Sequence, residues 1–348
     1  MNTQTRILAI VLLLLSIPIN GYVALNLYCG DCIPVVAQVN HIAHWITLSS
    51  FLLLVVVVIF RLPLPVLVLQ IPGILAFMFW FGPQLVPKSA IQPGVASEEF
   101  TALVFNQGGF TYGTPGPKLD LLLESDADIV GIFEYDFRMD ADLQTTLTDM
   151  YPYQYVYPEG YDGGWGDAED FRFLSRFPIV SSNEYVPYFM EGEAFLSHRF
   201  IRVELDMDGV PLAVYLFHPT RPPYDIGTTY DDTQLKENLA RLLQALAHER
   251  LPKLLLCDCN FSPRSPQYSE VDAILDDSFA LRGWGFGLTT SGLAGVRSLD
   301  IDFPLVRSDY IWTSIEVKPL DVEVRGSLTA SDHLMVWGRF SINRYLLE

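Results

Sequence analysis

The feature that most constrains this chain is how unevenly its charge is distributed. Through residue 95 there is one acid, Asp31, and three bases, Arg6, Arg61 and Lys88. The full 348 residues hold 41 Asp and Glu against 22 Lys and Arg. By subtraction, 40 acids and 19 bases lie beyond residue 95, a formal charge of −21. The first part suits an apolar environment and the second suits water, so a single uniform globule is excluded.

Three apolar runs occupy the first part: Ile7–Tyr28, Ile42–Phe60 and Leu62–Phe81. About 20 apolar residues cross a bilayer as a helix, so residues 1–83 are expected to form about three transmembrane helices. Pro63, Pro65 and Pro72 interrupt the third run, which spanning helices tolerate as kinks. Trp45 and Trp80 near the run ends suit an interfacial aromatic belt. No small-x-small cleavage signal follows the first run, which argues against a removed leader. Arg6 and Arg61 flank the same side, so the positive-inside rule predicts an integral protein of the cell membrane with its acidic part extracytoplasmic. Cys29 and Cys32 fall in the outer loop, as a structural disulfide or as free thiols.

Residues 84–97 are rich in Pro, Gly and Ser and read as a linker to a domain over 98–348. There, apolar and β-branched runs recur at Thr101–Asn106, Ile129–Glu134, Phe171–Phe177, Phe200–Leu205, Leu212–His218, Leu254–Asn260, Tyr310–Ile315 and Leu334–Phe340. Leu235, Leu239, Leu242, Leu243 and Leu246 give Thr233–His248 one apolar helical face. Ser265-Pro266 marks another helix start.

Polar residues repeatedly end these strands. Strand alternation places Asp258 and Asn260 on one face, with Cys257 and Cys259 as small buried hydrophobes on the other. That pattern is either a strand running into a turn or a pair aimed at a reactive centre. Asn106, Glu134 and His218 end other strands, Asp309 opens one, and Ser331-Asp332-His333 precedes the last. Such placement is what a cleft across a sheet edge requires. Its hard oxygen donors suit Mg²⁺.

Taken in order, these pieces resemble the endonuclease/exonuclease/phosphatase superfamily. They are Asn106, the Asp-Ile-Val-x-x-x-Glu ending at Glu134, Leu174-Ser-Arg-Phe-Pro-Ile179, His218-Pro219, Asp258-x-Asn260 with Ser262-Pro263, Asp309 and Ser331-Asp-His333. The resemblance implies an α/β (α+β) four-layer sandwich, two β-sheets face to face with helices outside, preceded here by the N-terminal helical region. It also implies a metal-dependent hydrolase of phosphate ester or pyrophosphate bonds using Mg²⁺, with Mn²⁺ as the alternative ion. Glu134 is then the principal metal ligand, with Asn106 and Asp332 close to the metal and its waters. Asp258 orients or deprotonates the attacking water, and Asn260 and His218 donate to phosphoryl oxygens. His333 contacts the phosphate, held by Asp309. Arg221 is a substrate contact or a plain surface arginine.

The chain departs from the family pattern at Cys257, where Gly is usual, and at Leu334-Met335-Val336, where a basic residue and Pro-Val are common. The frequent Trp-Pro is missing near Gly285–Thr290, and none of Tyr151, Tyr153, Tyr155 or Tyr157 stands out as the family tyrosine. The other histidines, His41, His44, His198 and His248, read as structural or surface residues. Asp167–Asp170 reads as a solvated loop and Tyr151–Tyr161 as a packed one. A charge of −21 ranks nucleic acid below a phosphorylated lipid or small molecule as substrate, with the bilayer as the physical partner. Two alternatives remain at this level: a Mg²⁺-dependent nuclease, and a tethered binding domain that keeps the fold without activity.

Overall fold

The computed structural model describes residues 2–89, 97–109, 111–139, 141, 143–157, 171–185, 200–225, 229–291 and 303–343. The expected loop at Asp167–Asp170, half of the linker (90–96), His198 and the end of the Tyr151–Tyr161 segment lie outside them.

The N-terminal region folds into helices α1 (Thr3–Cys29), α2 (Pro34–Asn40), α3 (Ala43–Ile59), α4 (Leu64–Val68) and α5 (Ile71–Trp80). The side chain of Asn2 caps α1 by accepting from the Thr5 amide at 2.8 Å. Gly30, at φ +66°, ends it. With 27 residues and an 18-residue stretch of mean hydropathy 2.3, α1 is long and apolar enough to cross a membrane. The second apolar run forms α3, which passes the same test only together with α2, bent from it by 81°. The third run is divided. Prolines stand in the first turns of both α4 and α5, where a missing N–H costs nothing. Gly73 lets α5 press against α3, since a Cβ there would meet Ser50 Oγ at 2.0 Å. The Cys29–Cys32 pair is a disulfide in the loop after α1.

The remainder is a four-layer sandwich, as the family resemblance implies. Sheet one has the order β13-β14-β1-β2-β4-β3, and sheet two β11-β12-β10-β7-β6-β5. The strands of sheet one are β1 (Ser97–Asn106), β2 (Ile129–Phe133), β3 (Tyr153–Tyr157), β4 (Phe171–Ser175), β13 (Val317–Arg325) and β14 (Met335–Asn343). Those of sheet two are β5 (Ile179–Tyr185), β6 (Phe200–Met207), β7 (Val210–Phe217), β10 (Lys253–Asp258), β11 (Asp276–Asp277) and β12 (Asp309–Thr313). A short hairpin, β8 (Tyr224–Asp225) with β9 (Thr229–Tyr230), stands apart.

Alternation decides the layers. Ala102, Val104, Leu254, Leu256, Val214 and Leu216 face the core between the sheets. Leu103, Phe105, Val130 and Ile132 face outward beneath α6 (Pro115–Ser125), with Leu122. On the far side α7 (Thr233–His248) lays Leu235, Leu239, Leu242 and Leu246 against Leu255, Cys257, Tyr310 and Trp312. Each fully buried leucine contributes about 1.5–3 kcal/mol relative to exposure. Two further helices, α8 (Pro266–Asp272) and α9 (Ser278–Arg282), complete that side. Ser265 precedes α8 as expected, but its hydroxyl accepts from the Ser262 amide rather than capping the helix.

Each sheet has its parallel pairing in one place. In sheet one, β1 runs parallel to β2, and in sheet two, β7 runs parallel to β10. The carboxyl ends of all four strands therefore open at one rim of the sandwich.

Candidate active site

That rim collects the predicted residues. Asn106 ends β1, Glu134 follows β2, His218 follows β7 and Asp258 ends β10. The inward alternation Ala102–Val104–Asn106, Val214–Leu216–His218 and Leu254–Leu256–Asp258 aims three of these side chains between the sheets. Glu134 is out of step, because Ile129 and Phe133 face inward and the next residue should face out. Its left-handed φ of +46° reverses that direction and turns the carboxylate into the rim. A non-glycine residue in this region is strained, and strain of this kind gathers where a side chain has a task.

Asp309 joins from the antiparallel neighbour β12, directly opposite Asp258 in register. His333 arrives just ahead of β14, held by its amide on Ser331 Oγ at 3.1 Å. Asn106 Nδ2 donates to Asp258 Oδ2 at 2.9 Å and to Glu134 Oε1 at 3.2 Å. His218 Nε2 lies 3.7 Å from Glu134 Oε1 and 3.6 Å from Asp258 Oδ2. His333 Nδ1 meets Asp309 Oδ2 at 2.9 Å, and its Nε2 lies 3.9 Å from Asp258 Oδ2.

Electrostatics follow from this packing. Burial opposes charge on His333, but the carboxylates of Asp309 and Asp258 outweigh it and hold the imidazole well above its ordinary pKa. Burial also works against Asp258, yet the cationic His333, the neighbouring His218 and the Asn106 donor keep its carboxyl below the usual range. Burial, helped by the neighbouring Asp258, raises Asp309. Glu134 is pushed up to about 7, first by burial and then by Asp332 and Asp258 against the pull of His333.

This set fits a hard divalent cation. Glu134, His218 and Asp258 offer ligand atoms within 4.8 Å of one another. The Oδ1 atoms of Asp332 and Asp309 are buried without hydrogen-bond partners. Oxygen donors in this state suit Mg²⁺ or Mn²⁺. Asp332 sits against Gly108, whose φ of +64° and lack of a Cβ make room for it; a Cβ would lie 2.5 Å from its Oδ1.

Two expectations need correction. Asn260 does not share the strand face of Asp258, because β10 ends at Asp258 and Asn260 turns left-handed at φ +53°. Its amide N–H reaches Asp258 Oδ1 at 3.3 Å, and its side chain donates to the Pro219 carbonyl at 3.1 Å. Asn260 thus braces the His218-Pro219 segment. Cys257 and Cys259 are buried as expected, but they are joined as a disulfide across Asp258, their Cα atoms 5.0 Å apart. Arg221 stands exposed beyond Thr220.

Sequence reasoning missed the residues behind the rim. Ser308 Oγ donates to Asp309 Oδ2 at 2.8 Å, and Thr289 Oγ1 accepts from the Asp309 amide at 3.3 Å. Behind Asn106, buried Lys118 donates to Asp136 at 2.9 Å and to the Gly109 carbonyl at 2.6 Å. Its signal was available: Lys118 shares the buried α6 face of Leu122 and Ser125, where a lone lysine needs a partner.

Comparisons with known proteins agree with this architecture. No curated protein matches the chain in sequence. Among solved structures, an endonuclease/exonuclease/phosphatase family protein from Leptotrichia buccalis superposes with a TM-score of 0.53 at 18% identity, covering 69% of this chain and 99% of that one. The endonuclease/exonuclease/phosphatase from Bacteroides vulgatus gives 0.52 at 14% identity, covering 70% and 99%. The human Nocturnin catalytic domain, with a bound sulfate anion, gives 0.50 at 16% identity, covering 73% and 96%. Residues 115–333, more than half of the chain, match the Endonuclease/Exonuclease/phosphatase family, within the span that carries Glu134, His218, Asp258, Asp309 and His333. With the two-sheet fold and the rim of acids and histidines already in place, that match decides the matter: the chain belongs to the endonuclease/exonuclease/phosphatase family.

Proposed function

We propose that this protein is a membrane-anchored, Mg²⁺-dependent phosphoesterase that hydrolyses a phosphate ester or pyrophosphate on a phosphorylated lipid or small molecule. The observation that carries the reading is the convergence of Asn106, Glu134, His218, Asp258, Asp309 and His333 at one rim.

The protein groups divide the work. Ionised at neutral pH, Asp258 accepts a proton from the attacking water while Asn106 fixes its Oδ2 and the Asn260 amide its Oδ1. His333, held cationic and oriented by Asp309, offers Nε2–H to the phosphoryl oxygens where negative charge gathers. His218 faces the same space from the opposite strand pair. Glu134, with Asn106 and Asp332, would hold the divalent ion, which supplies charge neutralisation and orientation of the ester. The P–O bond to the leaving group breaks as the bond from the water oxygen forms.

The anchor rests on the helices. Leu14 and Leu27 of α1 are 63% and 69% exposed, and Leu52, Ile59 and Phe79 are likewise open, a girdle that water alone does not tolerate. Arg6 and Arg61 lie at the ends of α1 and α3 away from the catalytic domain, which supports an extracytoplasmic site. A Cys29–Cys32 disulfide near that domain suits an oxidising compartment. Tethering raises the effective concentration of bilayer-borne substrates, and the −21 charge disfavours polyanions.

The test is purified full-length protein against lipid phosphates, phosphodiesters, inositol phosphates and plasmid DNA, with Mg²⁺ or EDTA. EDTA-sensitive release of phosphate or headgroup, abolished by Asp258→Ala and His333→Ala in folded protein, is expected. Nicking of plasmid at physiological salt in preference to the other substrates would move the assignment to a nuclease.

A further inference from the structure

Beyond Asp258 and Asn260, the chain enters the segment Phe261–Ser265 that leads into α8. Ser262 and Ser265 satisfy most of its backbone groups internally, and two of its side chains reach the N-terminal helices. Ser262 Oγ donates to the Asn40 carbonyl at 2.9 Å. The Arg264 guanidinium donates through Nη2 to Asn26 Oδ1 at 2.6 Å and stacks over the Trp80 ring at 4.1 Å. Asn26 Nδ2 in turn donates to Asn40 Oδ1 at 2.8 Å, which also receives the Tyr22 hydroxyl at 2.9 Å.

Tyr22, Asn26, Asn40 and Ser262 are all buried. Polar groups inside an apolar helix cluster are costly unless every member finds a partner. Here Tyr22 and Asn26 converge on Asn40, and Asn26 and Asn40 each receive a side chain of the other domain, Arg264 and Ser262, while Arg264 Nε is buried without a partner. A simple tether has no need of such contacts.

We propose that Arg264 is a positioning residue, and that the N-terminal helices are part of the active-site frame. The route is short. The left-handed turn at Asn260 persists only while its surroundings fix it. The Arg264–Asn26 and Ser262–Asn40 bonds hold the far side of that turn, and the Tyr310 hydroxyl holds the Phe261 carbonyl at 3.0 Å. Released, Asn260 loses its grip on Pro219 and on Asp258 Oδ1, and both His218 and Asp258 drift from their settings.

The kinetic arm of the test rests on the hydrolase reading; the exchange arm does not. Full-length protein in detergent micelles is compared with Arg264→Ala, Arg264→Lys, Asn26→Ala and the Asn26→Ala/Arg264→Ala double variant. Hydrogen–deuterium exchange of peptides covering 258–265 is expected to quicken about tenfold or more in Arg264→Ala and Asn26→Ala, with α7 unchanged. With a water-soluble phosphodiester and Mg²⁺, kcat is expected to fall about tenfold or more while KM moves less than twofold. Arg264→Lys, which keeps charge but not the planar fork, falls between. The double variant matches Arg264→Ala, because the two residues act as one unit. Should Arg264→Ala fail to fold, Asn26→Ala and Arg264→Lys carry both measurements. Unchanged exchange over 258–265 in folded variants overturns the proposal whatever the activity. Unchanged kcat beside an active parent overturns it too, and an inactive parent sinks the hydrolase reading while leaving the exchange result decisive.

Discussion

His333 Nδ1 lies 2.9 Å from Asp309 Oδ2, and Asp309 stands opposite Asp258 on the neighbouring strand. The imidazolium thus sits between two buried carboxylates, and each carboxylate depends on it. Asp309→Asn removes the charge that outweighs burial at His333. A raised pKa means the cationic form persists until pH climbs through the folded value, so lowering that pKa moves its loss toward acid. Asp309→Asn is expected to reduce kcat by about 10²–10⁴-fold and to shift the alkaline limb of the pH–rate profile to lower pH. A profile that keeps its alkaline limb while falling in amplitude would show that Asp309 does not tune His333.

Glu134 gives a different pH signature. Its carboxyl is pushed up to about 7, so between the ordinary glutamate range and pH 7 the folded protein holds a proton that the unfolded chain has lost. Its stabilising effect is complete below the unfolded pKa and disappears as pH rises through about 7. A bound divalent ion competes with that proton. The rise in Tm on adding Mg²⁺ should therefore be small at pH 5.5 and grow through pH 7.5, and Glu134→Gln should flatten the trend. Differential scanning fluorimetry at both pH values decides it; a Mg²⁺ shift that is larger at the acid end contradicts the assignment.

Asn106 ties the two halves of the rim together, with Nδ2 shared between Asp258 of sheet two and Glu134 of sheet one. Its Oδ1 accepts the Gly108 amide at 2.8 Å and so orients the donor. Asn106→Ala leaves both carboxylates without that donor. A loss of about 10–100-fold in metal affinity is expected, as for other groups that orient ligands. Titration calorimetry with Mn²⁺ measures it directly, independently of turnover.

Much of this was legible in the sequence, and the omissions share a cause. Thr233–His248 is predicted to the residue because one face of a single helix carries its leucines. The β1, β2, β7 and β10 runs are uniformly apolar because these strands are paired on both sides and covered on both faces. Overlooked were β3, β5 and β13, all of them sheet edges. Edge strands keep one side open and tolerate polar residues, bulges and proline. In β13 the register slips between Pro319 and Asp321, which breaks the alternation a reader would count. At the site, residue type and order revealed the acids and histidines. Direction was hidden where φ turns positive, at Glu134 and Asn260, because alternation presumes an extended chain. The Cys257–Cys259 bond was hidden too, since sharing one face of a strand permits a disulfide without requiring it.

The ion pair behind Asn106 sets the last expectation. Lys118 and Asp136 are fully buried, and Asp136 also receives Arg138 through Nε at 2.7 Å and Nη2 at 2.6 Å. Removing one partner of a buried pair costs about 3–5 kcal/mol, because the other is left charged and uncompensated. The two partners are not equivalent here. Lys118→Met leaves the Asp136 carboxylate with the Arg138 guanidinium and the Arg138 amide N–H at 3.2 Å, so it stays compensated. Asp136→Ala leaves Lys118, among the described residues, with the Gly109 carbonyl as hydrogen-bond partner and only the longer-range attraction of Asp332. Asp136→Ala should therefore sit at the upper end of that range, lowering Tm on the order of 10 °C, and Lys118→Met should cost clearly less. Combining Asp136→Ala with Lys118→Met should recover part of the loss, since the stranded ammonium is removed. Thermal unfolding of the three variants measures the ordering, and equal costs for the two single changes would mean that Arg138 does not share the Asp136 charge.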